Sequence, residues 1–266
     1  MDFTRYQRDL DRLRRGSPWN LVVLQRVNST NSLARRITRE YHREFSDPPR
    51  AVIVALEQTA GRGRQGRRWQ SVAGEGIYAT LVLPLGNPAA LARLPLLAAV
   101  GLARALNRHL KTPCRLKWPN DLMVGREKIG GLLIETITQG EEVVAMVGFG
   151  INHGGAPDLQ DGRRATSLCR ACAAPPSLPC LLWDLVAGVD RALEHLDDGE
   201  WAVRHYRELT VHQSGDRLTC RVAGEERSGI FRGIDDQGFL RLEHHGRVER
   251  FSAGEVVEEQ PGDQED

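Results

Sequence analysis

Apolar and polar positions follow two patterns along most of the chain, short apolar runs and longer amphipathic stretches. Short runs rich in β-branched residues are typical of strands buried in a sheet. They predict strands at 20–27, 51–56, 77–85, 114–118, 129–136 and 142–152. Apolar residues three or four positions apart predict helices at 32–45, 91–110, 178–196 and 201–209. This order predicts an α+β domain, in which helices pack on a mixed β-sheet.

The pattern changes after about residue 212. Short alternating runs are separated there by the turn signals AGEE, DDQG and HHG, an arrangement that indicates a small all-β domain. We therefore expect a large domain over 1–212, a β-barrel over 213–259 and a disordered acidic tail over 260–266. A barrel of this size is near the lower limit for a domain, so we expect it to lean on the large domain.

Charge is almost balanced over the 266 residues. The chain has 36 basic and 35 acidic residues, and its formal net charge is +1. Proteins that bind duplex DNA usually carry a clear basic excess, so the composition argues against DNA as a partner. The N-terminal segment is charged throughout, unlike a secretory signal, and no apolar run approaches the length of a membrane span. We expect a cytoplasmic protein without a membrane partner.

The cysteines and histidines give no sign of a metal site or a disulfide framework. The chain has five cysteines, an odd number, and eight scattered histidines. Cys169 and Cys172 form one CxxC, with Cys180 beyond, whereas a zinc site normally needs a second pair or added histidines. We interpret these side chains as structural.

The segment GRGRQGRRW, residues 61–69, concentrates arginine and glycine. Arg62 and Arg64 can each donate paired hydrogen bonds to phosphate or carboxylate oxygens, and glycine lets the backbone approach a ligand closely. The segment lacks the lysine and hydroxyl of a GxxxxGK[ST] loop. Two interpretations compete, a tether for RNA and a loop that closes over a small anion. The position between two strands and the apolar anchor Trp69 favour the second.

A polar cluster follows the strand at 114–118. WPND predicts a hairpin turn, because Pro119 fixes its own φ and Asn-Asp favours turns. The same turn places Lys117, Asn120 and Asp121 at a strand end, where they could bind a nucleotide and its Mg²⁺.

Three further stretches have both a structural and a functional interpretation. Lys128 precedes Gly130 and Gly131 in an apolar strand, and glycine there often marks a close approach of ligand or backbone. Asn152 ends the buried strand of GFGIN. NSTN, residues 28–31, is typical of a helix N-cap, and a helix N-terminus can also hold a polar ligand.

No Ser-His-Asp or Cys-His nucleophile set is evident in the sequence. The groups that remain available for chemistry are arginine, lysine, backbone amides and a metal ion. Such groups suit phosphoryl or nucleotidyl transfer, in which positioning and charge neutralisation do most of the catalysis.

In this order and spacing, GRGRQGRRW, KWPNDL, KIGGLLIE and GFGIN resemble the catalytic domain of the biotin protein ligases. STN and EQTAGRG agree, and SGIFRGIDDQGFLRLE with FSAGEV resembles the SH3-like C-terminal barrel of that family. The similarity covers about residues 20–258 and implies the biotinyl/lipoyl ligase fold, which is class II synthetase-like. It also implies a two-step reaction. Biotin and ATP give biotinyl-5′-AMP and pyrophosphate, and the adenylate then acylates a lysine of a biotin carboxyl carrier domain, such as that of acetyl-CoA carboxylase.

The resemblance also implies roles for individual residues. It assigns the contacts with the ring system of biotin to Ser29, Thr30, Asn31 and Gln58. The loop that orders over biotin and the adenylate contains Arg62, Gly63 and Arg64. The resemblance places Lys117, Asn120, Asp121 and Asn152 around the nucleotide and the carboxylate, with a Mg²⁺ near Asp121. Lys128 would bind the reacting carboxylate and phosphate oxygens beside Arg64, and Trp69 would pack near the adenine.

Alternatives stay open beside this interpretation. A lipoate–protein ligase shares the catalytic fold, but its loop carries a GGG run in place of the arginine pattern. A non-catalytic nucleic-acid-binding module would use the arginine loop, and the near-zero net charge argues against it. Fewer than 30 residues precede STN, too few for the winged-helix domain of bifunctional family members, so we expect no DNA partner. The chain could be a monomer or a homodimer.

Overall fold

The structure, a computed structural model, describes residues 2–14, 16–44, 48–86, 88–139, 142–158 and 164–260. The helices of the larger part are α1 (Phe3–Leu13), α2 (Thr30–Glu44), α3 (Leu94–Asn107), α4 (Leu168–Ala171), α5 (Leu178–Leu193) and α6 (Gly199–Leu209). Its strands are β1 (Asn20–Val27), β2 (Ala51–Gln58), β3 (Gly76–Leu85), β4 (Cys114–Lys117), β5 (Asp121–Val124), β6 (Glu127–Gln139) and β7 (Glu142–Asn152). The C-terminal part contains β8 (Arg217–Val222), β9 (Glu225–Ile234), β10 (Leu240–His244), β11 (Arg247–Phe251) and β12 (Glu255–Gln260).

The larger part is built on one seven-stranded sheet in the order β1-β2-β3-β7-β6-β5-β4. Only β1 and β2 run parallel to each other, and the other neighbours are antiparallel. The predicted mixed sheet with packed helices is therefore confirmed. The WPND turn joins β4 to β5 as a hairpin, in which Lys117 pairs with Asp121.

Helices cover both faces of this sheet. Because side chains alternate between faces along a strand, β7 contributes odd-numbered residues such as Val147 to one core and even-numbered residues to the other. The larger core contains α3, α5 and α6, and each buried leucine of α3 and α5 contributes about 1.5–3 kcal/mol relative to exposure. On the opposite face, Ala34 of α2 packs against Ile53, Val82, Val144 and Met146. α2 covers only part of this face, which leaves room beside its N-terminus.

Helix α1 was not predicted from the sequence. Five of its eleven residues are charged, yet Tyr6 and Leu10, four positions apart, are buried against the large core. Asp2 caps its N-terminus by accepting from the backbone amides of Thr4 and Arg5. A short helix with so narrow an apolar stripe is stabilised by packing more than by its own sequence.

The C-terminal part is a five-stranded antiparallel sheet in the order β11-β10-β9-β8-β12. The pairings of the described strands do not close it into a barrel, so the predicted barrel stays a prediction. Gln260, which the sequence analysis assigns to the acidic tail, pairs with Arg217 as the last residue of β12. The rest of that tail, 261–266, lies outside the described residues.

The C-terminal sheet packs directly on the larger part. Trp118, at the β4–β5 hairpin, donates from Nε1 to the carbonyl of Gly238 at 3.1 Å. Arg207 of α6 donates from Nε to the carbonyl of Ile234 at 2.7 Å. Apolar residues of both sheets share one core. Within the described ranges, no helix is both long and apolar enough to span a membrane.

Candidate active site

A cleft lies beside the N-terminus of α2, on the face of the sheet that α2 leaves open. The two even-numbered positions of β7 that follow Met146 are Gly148 and Gly150, so the strand carries no side chain there. A Cβ atom at Gly148 would overlap Asn31 Oδ1, and one at Gly150 would overlap the ring of Trp69. The two glycines therefore make room for the side chains that form the cleft.

The cleft encloses about 1250 Å³, including solvent at its mouth. The structure brings together every site residue that the sequence analysis named: Ser29, Thr30, Asn31, Gln58, Arg62, Gly63, Arg64, Trp69, Lys117, Asn120, Asp121, Lys128 and Asn152. Their individual roles stay predictions.

One end of the cleft has a buried, uncharged polar floor. Ser29, Thr30 and Asn31 are each less than 5% exposed. Gln58 Oε1 accepts from the Thr30 amide at 2.8 Å and from the Thr30 hydroxyl at 3.2 Å. The Thr80 hydroxyl donates to Asn31 Oδ1 at 2.6 Å and lies 2.8 Å from the Thr30 hydroxyl. Buried polar groups with partners of this kind hold a fixed arrangement.

Two residues of this region were missed by the sequence analysis. Thr80 is a single hydroxyl within the apolar run of β3, and Glu135 is a single charge at the end of the apolar run KIGGLLIE in β6. The Glu135 carboxylate accepts from Asn31 Nδ2 and Arg62 Nη1, both at 3.0 Å. It also forms an ion pair with Arg35 of α2. A lone polar residue in a buried strand was the available signal for both.

The arginine loop, residues 61–69, closes on itself above the floor. The Gly63 amide donates to the Arg67 carbonyl at 2.8 Å, and the Trp69 amide donates to the Gly61 carbonyl at 2.9 Å. Between them, Gln65 turns the chain with a left-handed φ of 54°. The loop is thus an ordered turn that presents its arginines on several sides.

The arginines of this loop have different partners. Arg62 pairs with Glu135, and Arg67 donates from both Nη atoms to the Glu255 carboxylate of β12 at 2.5 Å. Arg64 donates to the amide oxygen of Asn120 at 3.3 Å. Burial lowers the pKa of Arg64, although the nearby carboxylates of Asp121 and Glu255 act in the opposite direction. Glu255, within FSAGEV, lines the cleft and was not singled out by the sequence analysis.

Lys128 lies at the centre of the cleft. Its Nζ atom is 2.5 Å from Asp121 Oδ1 and 5.7 Å from the centroid of the Trp69 ring. The Lys128 backbone pairs with the segment that ends at Thr166, which fixes its position from outside the sheet. The Lys128 side chain is 19% exposed. The aromatic face and the carboxylate hold the ammonium group where an anionic ligand can reach it.

Other polar residues form a wall of the cleft. Asn120 Nδ2 donates to the Leu132 carbonyl at 2.8 Å, and Asn152 Nδ2 donates to the Thr166 carbonyl at 3.0 Å. Lys117 lines the same wall. Arg64, Lys117 and Lys128 therefore bring three cationic side chains to one cleft.

The residues of the cleft do not form a cage for a metal ion. Within the described part of the chain, no three His, Cys, Asp or Glu side chains come together as a ligand set. Among the described residues, Asp121 and Glu255 are the acidic ones that line the cleft, and each is paired with a cation. Of the cysteines, Cys169 and Cys180 are exposed, and Cys172 Sγ donates to the His109 carbonyl at 3.0 Å.

This arrangement is suited to hold anions close together. The lining residues include no cysteine or histidine. Arginine and lysine in a partly buried cleft stabilise negative charge more strongly than they do in water. The uncharged floor is suited to a neutral polar group, and the cationic wall to carboxylate or phosphate oxygens.

Two family models match the chain. Residues 23–152 match the biotin/lipoate A/B protein ligase family, and residues 217–257 match the biotin protein ligase C terminal domain. Together these matches include the arginine loop, the KWPND turn, Lys128 and β12 up to residue 257.

Relatives with similar sequences cover nearly the whole chain. A biotin–[acetyl-CoA-carboxylase] ligase of Paracoccus denitrificans is 32% identical over 88% of this chain and 98% of its own length. A biotin–[acetyl-CoA-carboxylase] ligase of Mycobacterium tuberculosis is 32% identical over 91% of this chain and 90% of its own length.

Solved structures show the same fold. A biotin protein ligase from Aquifex aeolicus in complex with biotin and ATP superposes with a TM-score of 0.71, at 24% identity over 90% of this chain and 97% of that one. A biotin protein ligase from Leishmania major in complex with biotinyl-5-AMP superposes with a TM-score of 0.57, at 25% identity over 88% of this chain and 99% of that one. With relatives of this identity and coverage, the chain belongs to the biotin protein ligase family.

Proposed function

We propose that this protein activates biotin with ATP as biotinyl-5′-AMP and transfers biotin to a lysine of a biotin carboxyl carrier protein. The observation that carries the proposal is the meeting of an uncharged polar floor and a cationic wall in one cleft. Relatives described as biotin–[acetyl-CoA-carboxylase] ligases support the same substrates and carrier.

The floor suits the ring system of biotin, which is neutral and rich in hydrogen-bonding groups. Thr30, Asn31 and Gln58 offer hydroxyl and amide groups that are already oriented by one another. Because these groups are fixed before the ligand arrives, binding loses little further side-chain entropy.

The first step joins two anions. A carboxylate oxygen of biotin attacks the α-phosphorus of ATP, a mixed anhydride forms, and pyrophosphate leaves with the electrons of the broken P–O bond. Lys128 lies where it can neutralise both the carboxylate and the phosphate, and Arg64 adds a second cation from the loop. Removing the repulsion between the reactants and stabilising charge in the transition state are the main sources of rate in such transfers.

In the second step, the amine of the carrier lysine attacks the carbonyl carbon of the anhydride. The C–N bond forms, AMP leaves with the electrons of the C–O bond, and the amine loses a proton. The arginine loop lies over the cleft and would limit hydrolysis of the anhydride before the carrier arrives.

Magnesium enters this proposal with the nucleotide. The cleft offers no ligand cage, and Asp121 Oδ1 is already engaged by Lys128. Mg²⁺ in nucleotide sites is commonly held by substrate phosphates, waters and one or two carboxylates. Asp121 is the residue we propose to lie nearest that ion.

Transfer of biotin to a carrier tests the proposal. Purified protein, Mg-ATP, biotin and an apo carrier domain should give a carrier heavier by one biotin in its intact mass. Lys128→Ala should slow the transfer by about 10²–10³-fold, as expected for loss of a group that stabilises charge in the transition state. Lys111→Ala, which removes an exposed lysine outside the cleft, is the matched control.

The result that would contradict the proposal is an unmodified carrier together with no biotin-dependent exchange of pyrophosphate into ATP. Lipoate would then be the next substrate to try, since one of the matching family models includes lipoate ligases. A salt-dependent gel shift would test the nucleic-acid alternative. The cytoplasmic location, the choice between monomer and homodimer and the absence of a DNA partner stay predictions.

A further inference from the structure

Glu135 is a partly buried charge that connects its own strand to two other elements, the arginine loop and α2. It lies on β6, and its side chain is 11% exposed. Its carboxylate accepts from Arg62 of the arginine loop, Asn31 of the floor and Arg35 of α2. Two guanidinium groups on one carboxylate offset the free-energy cost of removing that charge from water.

The packing of β6 does not require a charge at this position. Leu133 and Ile137 are two positions away on the same face, so an apolar residue would continue that face. Replacing buried ion pairs by well-packed apolar residues is often neutral or stabilising. The charge of Glu135 is therefore explained by its contacts with other side chains and not by the packing of β6.

We infer that Glu135 is a positioning residue, which fixes Arg62 of the loop relative to Asn31 of the floor. The inference rests on the proposed function. The loop then has two carboxylate anchors, Glu135 at Arg62 and Glu255 at Arg67. Arg64, between them, donates to an amide and keeps its charge for a ligand. In this arrangement Arg62 anchors the loop, while the floor provides the contacts with the biotin ring.

Glu135→Gln is the direct test, because the amide keeps the size and an acceptor for Asn31 but loses the charge that holds Arg62. Weakening one charged hydrogen bond should raise the KM for biotin and the rate of adenylate escape by about five- to tenfold. The rate of biotin-dependent pyrophosphate exchange at saturating biotin should change less than about twofold, because the residue does not contact the reacting atoms.

Limited trypsin digestion gives a readout that does not depend on activity. The loop offers several cleavage positions between Arg62 and Arg68. Release of one anchor should make cleavage there about fivefold faster, since proteolysis follows the population of opened loop. Arg35→Gln is the matched control, because it removes another partner of Glu135 but leaves the loop pair intact. It should leave the rate of loop cleavage within about twofold of the starting protein.

A double-mutant cycle decides whether Glu135 acts through Arg62. Arg62→Gln alone should reproduce the faster cleavage and adenylate escape, and the double variant should be no worse than the stronger single variant. Arg62→Gln also keeps the test valid if Glu135→Gln fails to fold, because it leaves Glu135 paired with Arg35.

Three results would overturn the inference. These are fully additive effects in the cycle, loop cleavage and biotin KM unchanged in Glu135→Gln, or an Arg35→Gln variant that behaves like Glu135→Gln. An unsubstituted protein inactive with biotin and ATP would refute the proposed function, whereas an active protein with an unaffected variant would refute only the role of Glu135.

Discussion

The floor of the cleft and the arginine loop above it are held in place in different ways. On the floor, Thr30, Asn31 and Thr80 are buried and bonded to one another through short hydrogen bonds. The loop is held at its sides by ion pairs of arginines that are 45% and 42% exposed, Arg62 and Arg67 respectively. One region is fixed by a buried network, and the other by ion pairs whose arginines are partly exposed.

This difference indicates which region can move. Ion pairs with one partly exposed partner contribute less than fully buried networks do, so opening the loop costs less free energy than disrupting the floor. Breaking the floor would leave buried polar groups without partners, at about 1–3 kcal/mol for each. A ligase needs both properties, because biotin has to find a formed site and the reactive anhydride has to be covered and later released.

The floor should tolerate change least. In Gly148→Ala, the added methyl group would overlap Asn31 Oδ1, and Asn31 would have to leave its hydrogen bonds with Thr80 and Glu135. Loss of two buried hydrogen bonds should weaken biotin binding by about 100-fold or more. The dissociation constant for biotin, measured by calorimetry, checks this.

Gly86→Ala is the matched control for that substitution, because a Cβ there meets no atom within 4 Å. It should leave biotin affinity unchanged. Normal affinity in Gly148→Ala would show that Asn31 can move freely, and the contrast between a fixed floor and a mobile loop would be lost.

Removal of Arg64, the loop arginine that donates to the side-chain amide of Asn120, should have the next largest effect. Arg64→Gly deletes a charge that is available to the adenylate, and charged hydrogen bonds of this kind contribute about 1.5–3 kcal/mol, or roughly 10- to 150-fold. We expect biotinyl-5′-AMP to escape faster by this factor and to label lysines of bystander proteins. Chromatography of the released adenylate and avidin blots of a mixed protein sample measure both. Labelling that stays confined to the carrier would contradict this role of Arg64.

Loss of a loop anchor in the C-terminal sheet should have a smaller effect. Glu255→Gln weakens the pair with Arg67, and an exposed pair of about 1 kcal/mol or less corresponds to a change of up to about fivefold in the KM for ATP. The difference should shrink at high ionic strength, since salt screens exposed charges. Glu243→Gln, which weakens the pair with Arg232 elsewhere on this sheet, is the control. A change well above tenfold would mean that the loop is held as firmly as the floor.

The sequence predicted the sheet and its large helices because their apolar patterns are strong and continuous. α1 was missed because its buried stripe is narrow, and β5 was missed because the turn signals of WPND conceal a strand of only four residues. The motifs identified the residues of the cleft, since local sequence and resemblance both mark them. Glu135 and Glu255 could not be assigned in this way. Their partners Arg62 and Arg67 are 73 and 188 positions away, and only the fold brings them together.

The smallest effect is expected from a hydroxyl beneath the loop. Tyr206 is fully buried in α6, its pKa is raised by burial and by the charge of Asp121, and its hydroxyl has no hydrogen-bond partner among the described residues. Tyr206→Phe should therefore stabilise the protein by about 1 kcal/mol, which corresponds to a melting temperature about 2–4 °C higher. Tyr78→Phe makes the same chemical change where the hydroxyl contacts the amide and carbonyl of Val72, both at 3.1 Å. That variant should be destabilised by about as much, because the partners are left unpaired. If the Tyr206 hydroxyl has no partner and the Tyr78 hydroxyl has one, calorimetry should show a higher melting temperature for Tyr206→Phe and a lower one for Tyr78→Phe. A loss of stability in Tyr206→Phe would show that this hydroxyl is bonded after all.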